Sequence, residues 1–247
     1  MHTLTGRVAR AFARSSASYR DAALAQKQIA AKLFEAYRRV APDHHPTRML
    51  EAGYGTGQLT EHLLRLRPTQ LWLNDLNSVA LPGVDAVYLP GDIAEVGLPV
   101  SLDLAASASM IQWVNDPARV LTRLCDAVAP GGYLALSGFS PAHFPELRAL
   151  GSQGGAPSYM TGEAMAALLP PDWQVRELGA WRIPCHFPEA LAVLKHLRAT
   201  GVNACAGQLR TPGAMRDFLT RYESAYRGEQ GVLLTYVASW LVAVKHG

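Results

Sequence analysis

Cysteine is scarce in this chain. Its three copies, Cys125, Cys185 and Cys205, are odd in number and far apart, with no C-x-x-C pair. That pattern excludes a disulfide framework and offers no zinc-ligand spacing, so a reducing cytoplasm is expected and a metal is not. Long apolar runs are missing as well. None approaches the roughly 18 residues of a membrane span, and the opening "MHTLTGRVARAFARSSASYR" lacks the apolar segment of a secretory signal, so no membrane association is expected. Charge is sparse, 17% of residues with a net of +3, and the basic residues form no dense run, which argues against nucleic acid as a partner. Arg7, Arg10 and Arg14 come closest to a basic face, either a solvated surface or a dock for an acidic partner.

What is present is apolar content, 49% over 247 residues, enough to bury the core of one α/β domain. From Asp21 to Val40, Ile29, Leu33, Tyr37 and Val40 recur on one stripe of an amphipathic helix that Asp21 is placed to cap. "TRMLEAG" reads as a buried strand, "QLTEHLLRLRP" as a helix ended by Pro68, and "QLWLNDLN" as a second strand ending in an acid. "DAVYLPGD" and "SLDLAASASMIQW" supply strands three and four. "PARVLTRLCDAV" follows as a helix, and "APGGYLALSGF" as a Gly-Gly turn feeding a fifth strand. Beyond Phe139 the rhythm loosens into a Pro-, Gly- and Ser-rich stretch with a short helix from Thr161 to Leu169. "WQVRELGAWRIP" is a sixth strand, Pro188–Thr200 and Pro212–Arg227 are helices, the second capped by Thr211, and "VLLTYVASWLVAVK" is the last strand. Strands alternating with helices predict a mostly parallel sheet covered on both faces.

In such sheets ligands bind beyond the carboxyl ends of the strands. The polar signals fall there: Glu51, Gly53, Gly55 and Gly57 after strand one, Asp75 after strand two, Gly91 and Asp92 after strand three, Ser107 to Trp113 after strand four. The glycines read G-x-G-x-G, one residue short of the dinucleotide fingerprint, because Gln58 stands where the third glycine would be. They let backbone approach a ligand; Asp75 is suited to ribose hydroxyls, Asp92 to an adenine amino group, and Glu51 to orienting the loop and balancing a cation. A pyrophosphate would prefer cationic surroundings to these carboxylates, so a positively charged adenosyl ligand is favoured over a nicotinamide dinucleotide.

"LEAGYGTG", "NDL", "GDI" and "APGGYLALS" together resemble the motifs of class I S-adenosylmethionine-dependent methyltransferases over residues 48–139, with Tyr54 in place of a common cysteine. "AFARSSASYRDAALAQKQIAAKL", "SASMIQWVND", "FPEL", "LKHLRATGVNA" and "LTYVASWLVAVK" are similar, in order and spacing, to the malonyl-acyl-carrier-protein O-methyltransferases of biotin synthesis. The resemblance implies an α/β, Rossmann-like, mostly parallel seven-stranded sheet with helices on both faces, plus an N-terminal helix and helical lid insertions. It implies one methyltransferase domain over 1–247: a helical cap at 1–45, a cofactor-binding core at 46–139, lid or substrate insertions at 140–170 and 188–228, and the last strand at 229–247.

The implied cofactor is S-adenosyl-L-methionine, leaving as S-adenosyl-L-homocysteine, and the implied partner is an acyl carrier protein bearing malonyl-phosphopantetheine. Tyr19, Gln26, Glu51, Gly53, Gly55, Gly57, Asp75, Leu76, Asp92, Ile93, Ser107 and Gln112 are the expected cofactor residues; Tyr19, Trp113, Arg148 and Lys195 are the expected substrate-positioning ones. Simpler roles stand beside these: Gln26 as an exposed helix residue, Trp113 as a core aromatic, Arg148 and Lys195 as solvated charges, Tyr236 as packing. The acidic carrier implies a basic surface, for which Arg7, Arg10, Arg14, Arg198 and Arg210 are candidates, while His44 and His45 read as a surface turn. No general acid or base is expected, since a malonyl carboxylate is already ionised at neutral pH. A methyltransferase for another small acid or a quinone-like acceptor, and a cofactor-binding protein without turnover, remain open alternatives.

Overall fold

Helix α1 (Leu24–Val40) packs the predicted stripe inward: Ile29, Leu33 and Tyr37 are buried, joined by Ala25, Ala30 and Ala36, while Val40 is only half-buried. This is a computed structural model, and it describes residues 24–77, 79–152, 156–199 and 211–247; Tyr19, Asp21, Arg7, Arg10, Arg14 and Arg210 lie outside the described residues. The strands are β1 (Arg48–Ala52), β2 (Gln70–Asp75), β3 (Val87–Pro90), β4 (Leu102–Ala108), β5 (Val128–Phe139), β6 (Trp173–Phe187), β7 (Arg227–Gly228) and β8 (Gly231–Lys245). Between them lie helices α2 (Thr60–Leu63), α3 (Pro117–Ala127), α4 (Pro145–Ala149), α5 (Gly162–Ala166), α6 (Ala190–Ala199) and α7 (Pro212–Tyr226).

All strands join one sheet in the order β3-β2-β1-β4-β5-β8-β6, with the two-residue β7 paired to β8 off this path. Neighbours from β3 to β5 are parallel; β8 runs antiparallel to both β5 and β6. The order reverses between β1 and β4, the switch point at whose carboxyl side open sheets of this kind bind their ligands.

Period-two alternation builds a core on each face. Leu50, Ala105, Leu134, Leu136 and Leu241 face one side with Val120, Leu124 and Met165. Met49, Leu104, Ala135 and Val242 face the other with Leu33 and Tyr37. Each such aliphatic side chain, buried whole, contributes roughly 1.5 to 3 kcal/mol. A third cluster brings Phe139, Phe144, Leu147, Val193, Leu197, Phe218 and Tyr222 together with Leu234 and Tyr236. Because β8 enters antiparallel, with Ala238 opposite Phe139, its first half lies at the carboxyl end of β5 and carries this cluster there.

Some boundaries differ from the sequence expectation. The helix expected from Gln58 is one short turn plus a 3-10 turn at Leu64–Leu66, stopped by Arg67 in the left-handed conformation (φ +55°) ahead of Pro68. The Pro130-Gly131-Gly132 segment is not a turn before β5 but lies within it, as an irregularity where Leu102 pairs with Val128 and Leu104 with Tyr133. Caps behave as their chemistry predicts: Asp116 Oδ1 accepts from the Arg119 amide (3.0 Å), Thr161 from Ala164 (3.2 Å) and Thr211 from Ala214 (3.2 Å).

Candidate active site

The turn after β1 is shaped by backbone. Gly53, Gly55 and Gly57 have φ of +74°, +55° and +90°, a region that side-chain-bearing residues rarely adopt. The Gly53 and Tyr54 amides donate to the Asn74 carbonyl (2.7 and 3.1 Å), docking the turn on the end of β2. A Cβ on Gly53 would collide with the Met110 side chain and one on Gly57 would approach Leu81 Cδ1 to 2.9 Å, whereas Gly55 fronts open space. A ligand can therefore lie against bare backbone at Gly55.

Asp75, at the tip of β2, closes the arrangement. Its Oδ2 accepts from the Gly55 amide (3.0 Å) and its Oδ1 from the Asn77 amide (2.9 Å). Burial raises its carboxyl pKa, and the Asn77, Gly55 and Leu76 amides counteract that. Each oxygen still has a second lone pair, which is what two adjacent ribose hydroxyls require. Asn74, which the sequence reading passed over, is buried and donates through Nδ2 to the carbonyls of Leu89 (2.8 Å) and Gly91 (3.0 Å), holding the ends of β2 and β3 together. Asp92, half-buried, follows directly and caps its own turn, Oδ1 accepting from the Ala94 amide at 2.9 Å. Leu76 is half-buried beside Asp75, but Ile93 is only 4% exposed and belongs to the core cluster, so its apolar surface is largely spent on packing.

Two expected ligands are turned inward. Glu51 is buried, its Oε2 accepting from Thr60 Oγ1 at 2.6 Å, and burial pushes its pKa up to about 8, Asp75 adding to the rise and Thr60 opposing it. Its bond to Thr60 suits the loop-orienting role expected of it, while the raised pKa disfavours its anion unless a nearby cation offsets the burial. Ser107, fully buried, donates to the Ala52 carbonyl (2.7 Å), tying β4 to β1 rather than offering its hydroxyl to a ligand.

Beyond β4, Gln112 is buried with Nε2 donating to the Ser109 carbonyl (2.6 Å). Its Oε1, the Ser109 hydroxyl and the Oε1 of Gln26 on α1 are buried without a hydrogen-bond partner among the described residues. Buried polar atoms are normally satisfied, and these acceptors suit a ligand that brings an ammonium group. Gln26, 8% exposed, is thus not the exposed helix residue weighed as its alternative.

The insertions close over the same end. Ser158 donates through its amide to the Gln112 carbonyl (3.1 Å) and through its hydroxyl to the Val114 carbonyl (2.8 Å), while the Met160 amide reaches the Phe139 carbonyl (3.2 Å). Glu146 on α4 receives the Thr235 amide (3.0 Å) and hydroxyl (2.5 Å), clamping that helix to β8. Trp113 is half-buried and packs against the third cluster. Tyr236 is buried and shares a 2.7 Å hydrogen bond with His196 Nε2, so it does more than pack. His143 is buried against Phe139, Phe144, Tyr159 and Tyr236. Burial takes the His143 pKa down to about 3 and the His196 pKa down to about 4.

Sequence reading missed both histidines and gave Glu146 no role; "FPEL" was the only signal for it. Arg148 and Lys195 are not brought into this enclosed group. Both are exposed, and Arg148 spends a guanidinium N–H on the Pro141 carbonyl. His44 is half-buried rather than on a free surface turn, its Nδ1 bonded to Tyr37 Oη at 2.7 Å. Among the described residues no three His, Cys, Asp or Glu side chains gather as a metal would need, and no helix is long and apolar enough to cross a membrane.

The geometry agrees with the relationships of the chain. A family model described as a methyltransferase domain matches residues 25–171. A Chlorobium phaeovibrioides protein named malonyl-[acyl-carrier protein] O-methyltransferase is 33% identical over 237 residues, covering 91% of this chain and 90% of its own. Relatives of the same name from Haemophilus ducreyi (31%; 96% of each chain) and Prosthecochloris aestuarii (34%; 91% and 88%) are similarly placed. Among solved structures, YcgJ of Bacillus subtilis aligns with a TM-score of 0.60 at 11% identity (87% of this chain, 99% of that one). TehB of Haemophilus influenzae aligns at 0.54 and 12% (85% and 62%). At such identities these two show a shared fold and nothing more.

Proposed function

This chain belongs to the methyltransferase-domain family and groups there with the malonyl-[acyl-carrier protein] O-methyltransferases, and from that premise we propose that it methylates the free carboxylate of a malonyl thioester on acyl carrier protein, using S-adenosylmethionine. The ester masks the charge, so that chain-elongating enzymes accept the acyl group as an apolar starter for the pimeloyl chain of biotin, in the cytoplasm. The observation that carries the proposal is the glycine turn held against Asp75 at the ends of β1 and β2, in a chain matched nearly end to end by relatives of that name.

When bound, the cofactor supplies an electrophilic methyl on a sulfonium. The residues around it have holding tasks. Asp75 would take the ribose hydroxyls and Asp92 the adenine amino group, with Leu76 beside the base and Ile93 backing it from the core, and Gly53, Gly55 and Gly57 would leave room for backbone contact. The unpartnered oxygens of Gln112, Gln26 and Ser109 would receive the ammonium of the methionine end, and a cation there would favour the ionised form of Glu51; Tyr19 is proposed for the same end on the family resemblance alone. Ser107 supports this wall from behind through Ala52.

Little acid-base chemistry is asked of the protein. The malonyl carboxylate is ionised near pH 7 and attacks with its own lone pair. His143 and His196, with pKa values near 3 and 4, are neutral and weakly basic there, in keeping with a site that removes no proton. Rate comes from alignment and exclusion of water, effects that reach about 7 to 11 kcal/mol in favourable cases. Trp113 and the aromatic cluster wall the acyl chain. Arg148, Lys195 and Arg198, all exposed, serve to attract the anionic substrate and its acidic carrier, a contribution to association rate that weakens with salt.

The test is transfer of a labelled methyl group to malonyl-carrier protein, malonyl-CoA, free malonate and a phenolic acceptor, followed by mass spectrometry. A malonyl thioester gaining one methyl is expected. Label appearing only on another acceptor, or S-adenosylhomocysteine binding with no product at all, sinks the assignment in favour of the corresponding alternative.

A further inference from the structure

His143 has two nitrogens with different fates. Nδ1 accepts a hydrogen bond from the Val237 amide of β8 at 3.1 Å, so it carries no proton. In a neutral ring the single proton then sits on Nε2, which makes Nε2–H a fixed donor. That donor is buried, the residue being 2% exposed, and it has no hydrogen-bond partner among the described residues. A stranded donor in an apolar enclosure is destabilising. The Val237 amide accounts for Nδ1, but nothing in the packing accounts for a donor at Nε2: Phe139 stacks on the ring at 4.0 Å and 13°, and Phe144, Tyr159 and Tyr236 surround it.

The location gives the donor a use. Phe139 ends β5, and at the residue before it, Gly138, a Cβ would lie 3.3 Å from Gln112 Oε1, the buried acceptor left without a partner. An unmatched acceptor and an unmatched donor thus flank the carboxyl end of one strand, Gln112 on the side of β4 and His143 on the side of β8. The acceptor suits the cationic cofactor; the donor suits an oxygen. Tyr159 meets the imidazole edge-on (5.6 Å, 68°), and its segment is fastened to the Gln112 loop through Ser158.

We propose that His143 is a substrate-binding residue whose Nε2–H donates to an acyl oxygen of the malonyl unit, holding it in line with the transferred methyl. The inference rests on the functional reading above and assigns that site a specificity element. A neutral donor is the appropriate kind: it orients an oxygen without the charge pairing by which a guanidinium would hold back the attacking lone pair.

Two substitutions separate this role from a structural one. His143→Asn keeps an acceptor for the Val237 amide and removes the distal N–H; His143→Gln keeps a distal N–H and removes the acceptor. Both lose the ring, so a common loss of stability is expected and is not the readout. KM for the malonyl thioester should rise about 10- to 100-fold in His143→Asn and much less in His143→Gln, with S-adenosylhomocysteine affinity unchanged in both. A wild-type KM in His143→Asn overturns the inference while leaving the methyltransferase assignment intact.

Should neither variant fold, or should wild type leave every malonyl thioester unmethylated, the wild-type protein with S-adenosylhomocysteine decides by nitrogen-15 NMR. Malonyl-pantetheine should move the His143 Nε2–H resonance, and no movement sinks the proposal. A shift with acetyl-pantetheine as well identifies the thioester carbonyl as the acceptor; a shift with malonyl-pantetheine alone identifies the carboxylate.

Discussion

Asp75 and Glu51 stand at the ends of adjacent strands and have opposite tasks. Asp75 presents oxygens already steadied by the Gly55 and Asn77 amides, so Asp75→Ala removes ligand contacts and loop anchors together. With each charge-assisted bond worth about 1.5 to 3 kcal/mol, calorimetry should show S-adenosylhomocysteine affinity down by roughly 100-fold or more. Glu51, sealed beneath the same turn, has its pKa raised from 4.5 to about 8. The folded chain therefore binds more protons than the unfolded one between those values, and the stability contribution of protonated Glu51 falls as pH rises through that window. Glu51→Gln, which cannot ionise, should flatten that part of the decline in urea-unfolding free energy between pH 7 and 8. An unchanged slope would mean that Glu51 is ionised in the free protein.

At the scale of elements, one-turn α4 cannot hold its place by helix propensity. Its anchorage is Glu146, which receives both the amide and the hydroxyl of Thr235 on β8. Glu146→Ala strands a buried amide and should cost roughly 1.5 to 3 kcal/mol, seen as a lower melting temperature with faster hydrogen exchange in the first half of β8. Cofactor affinity should change little, because the Asp75 turn hangs on β1 and β2. A large loss of S-adenosylhomocysteine binding in this variant would show that the two regions are coupled more tightly than these contacts imply. "FPEL" was conspicuous in the sequence, yet its glutamate's partner lies 89 residues away and has no local signature.

Over the whole molecule the buried titratable groups set an optimum. His143 and His196 have folded pKa values lowered to about 3 and 4 from 6.5, so their contributions are complete above 6.5 and are lost as pH falls toward those values. Glu51 acts in the opposite direction from 4.5 to 8. Between 4.5 and 6.5 these histidines, joined by His44 and His62 whose pKa values burial also lowers, outweigh one glutamate and stability climbs; from 6.5 to 8 the Glu51 contribution declines. Urea unfolding across pH 4 to 9 should place the maximum near 6.5, a steady rise to pH 8 being the contrary result.

The parallel half of the fold and the glycine turn facing Asp75 were legible in the sequence because their physics is local. Period-two runs become strands, glycines take positive φ where only they do so cheaply, and an acid at a strand end meets whatever ligand the sheet's crevice holds. Thus Gly53, Gly55, Gly57, Asp75 and Asp92 could be placed at the strand ends from the sequence. Only the tertiary structure decided which polar residues are spent inward and which are left over. Ser107 donates to the Ala52 carbonyl, Glu51 has its pKa raised by burial, and Arg148 is turned out to solvent. His143, unremarked in the chain, becomes a fixed donor because β8 folds back antiparallel and brings the Val237 amide to its Nδ1. Desolvation and long-range hydrogen bonding depend on what else fills the space around a group, and that is settled when the chain closes on itself.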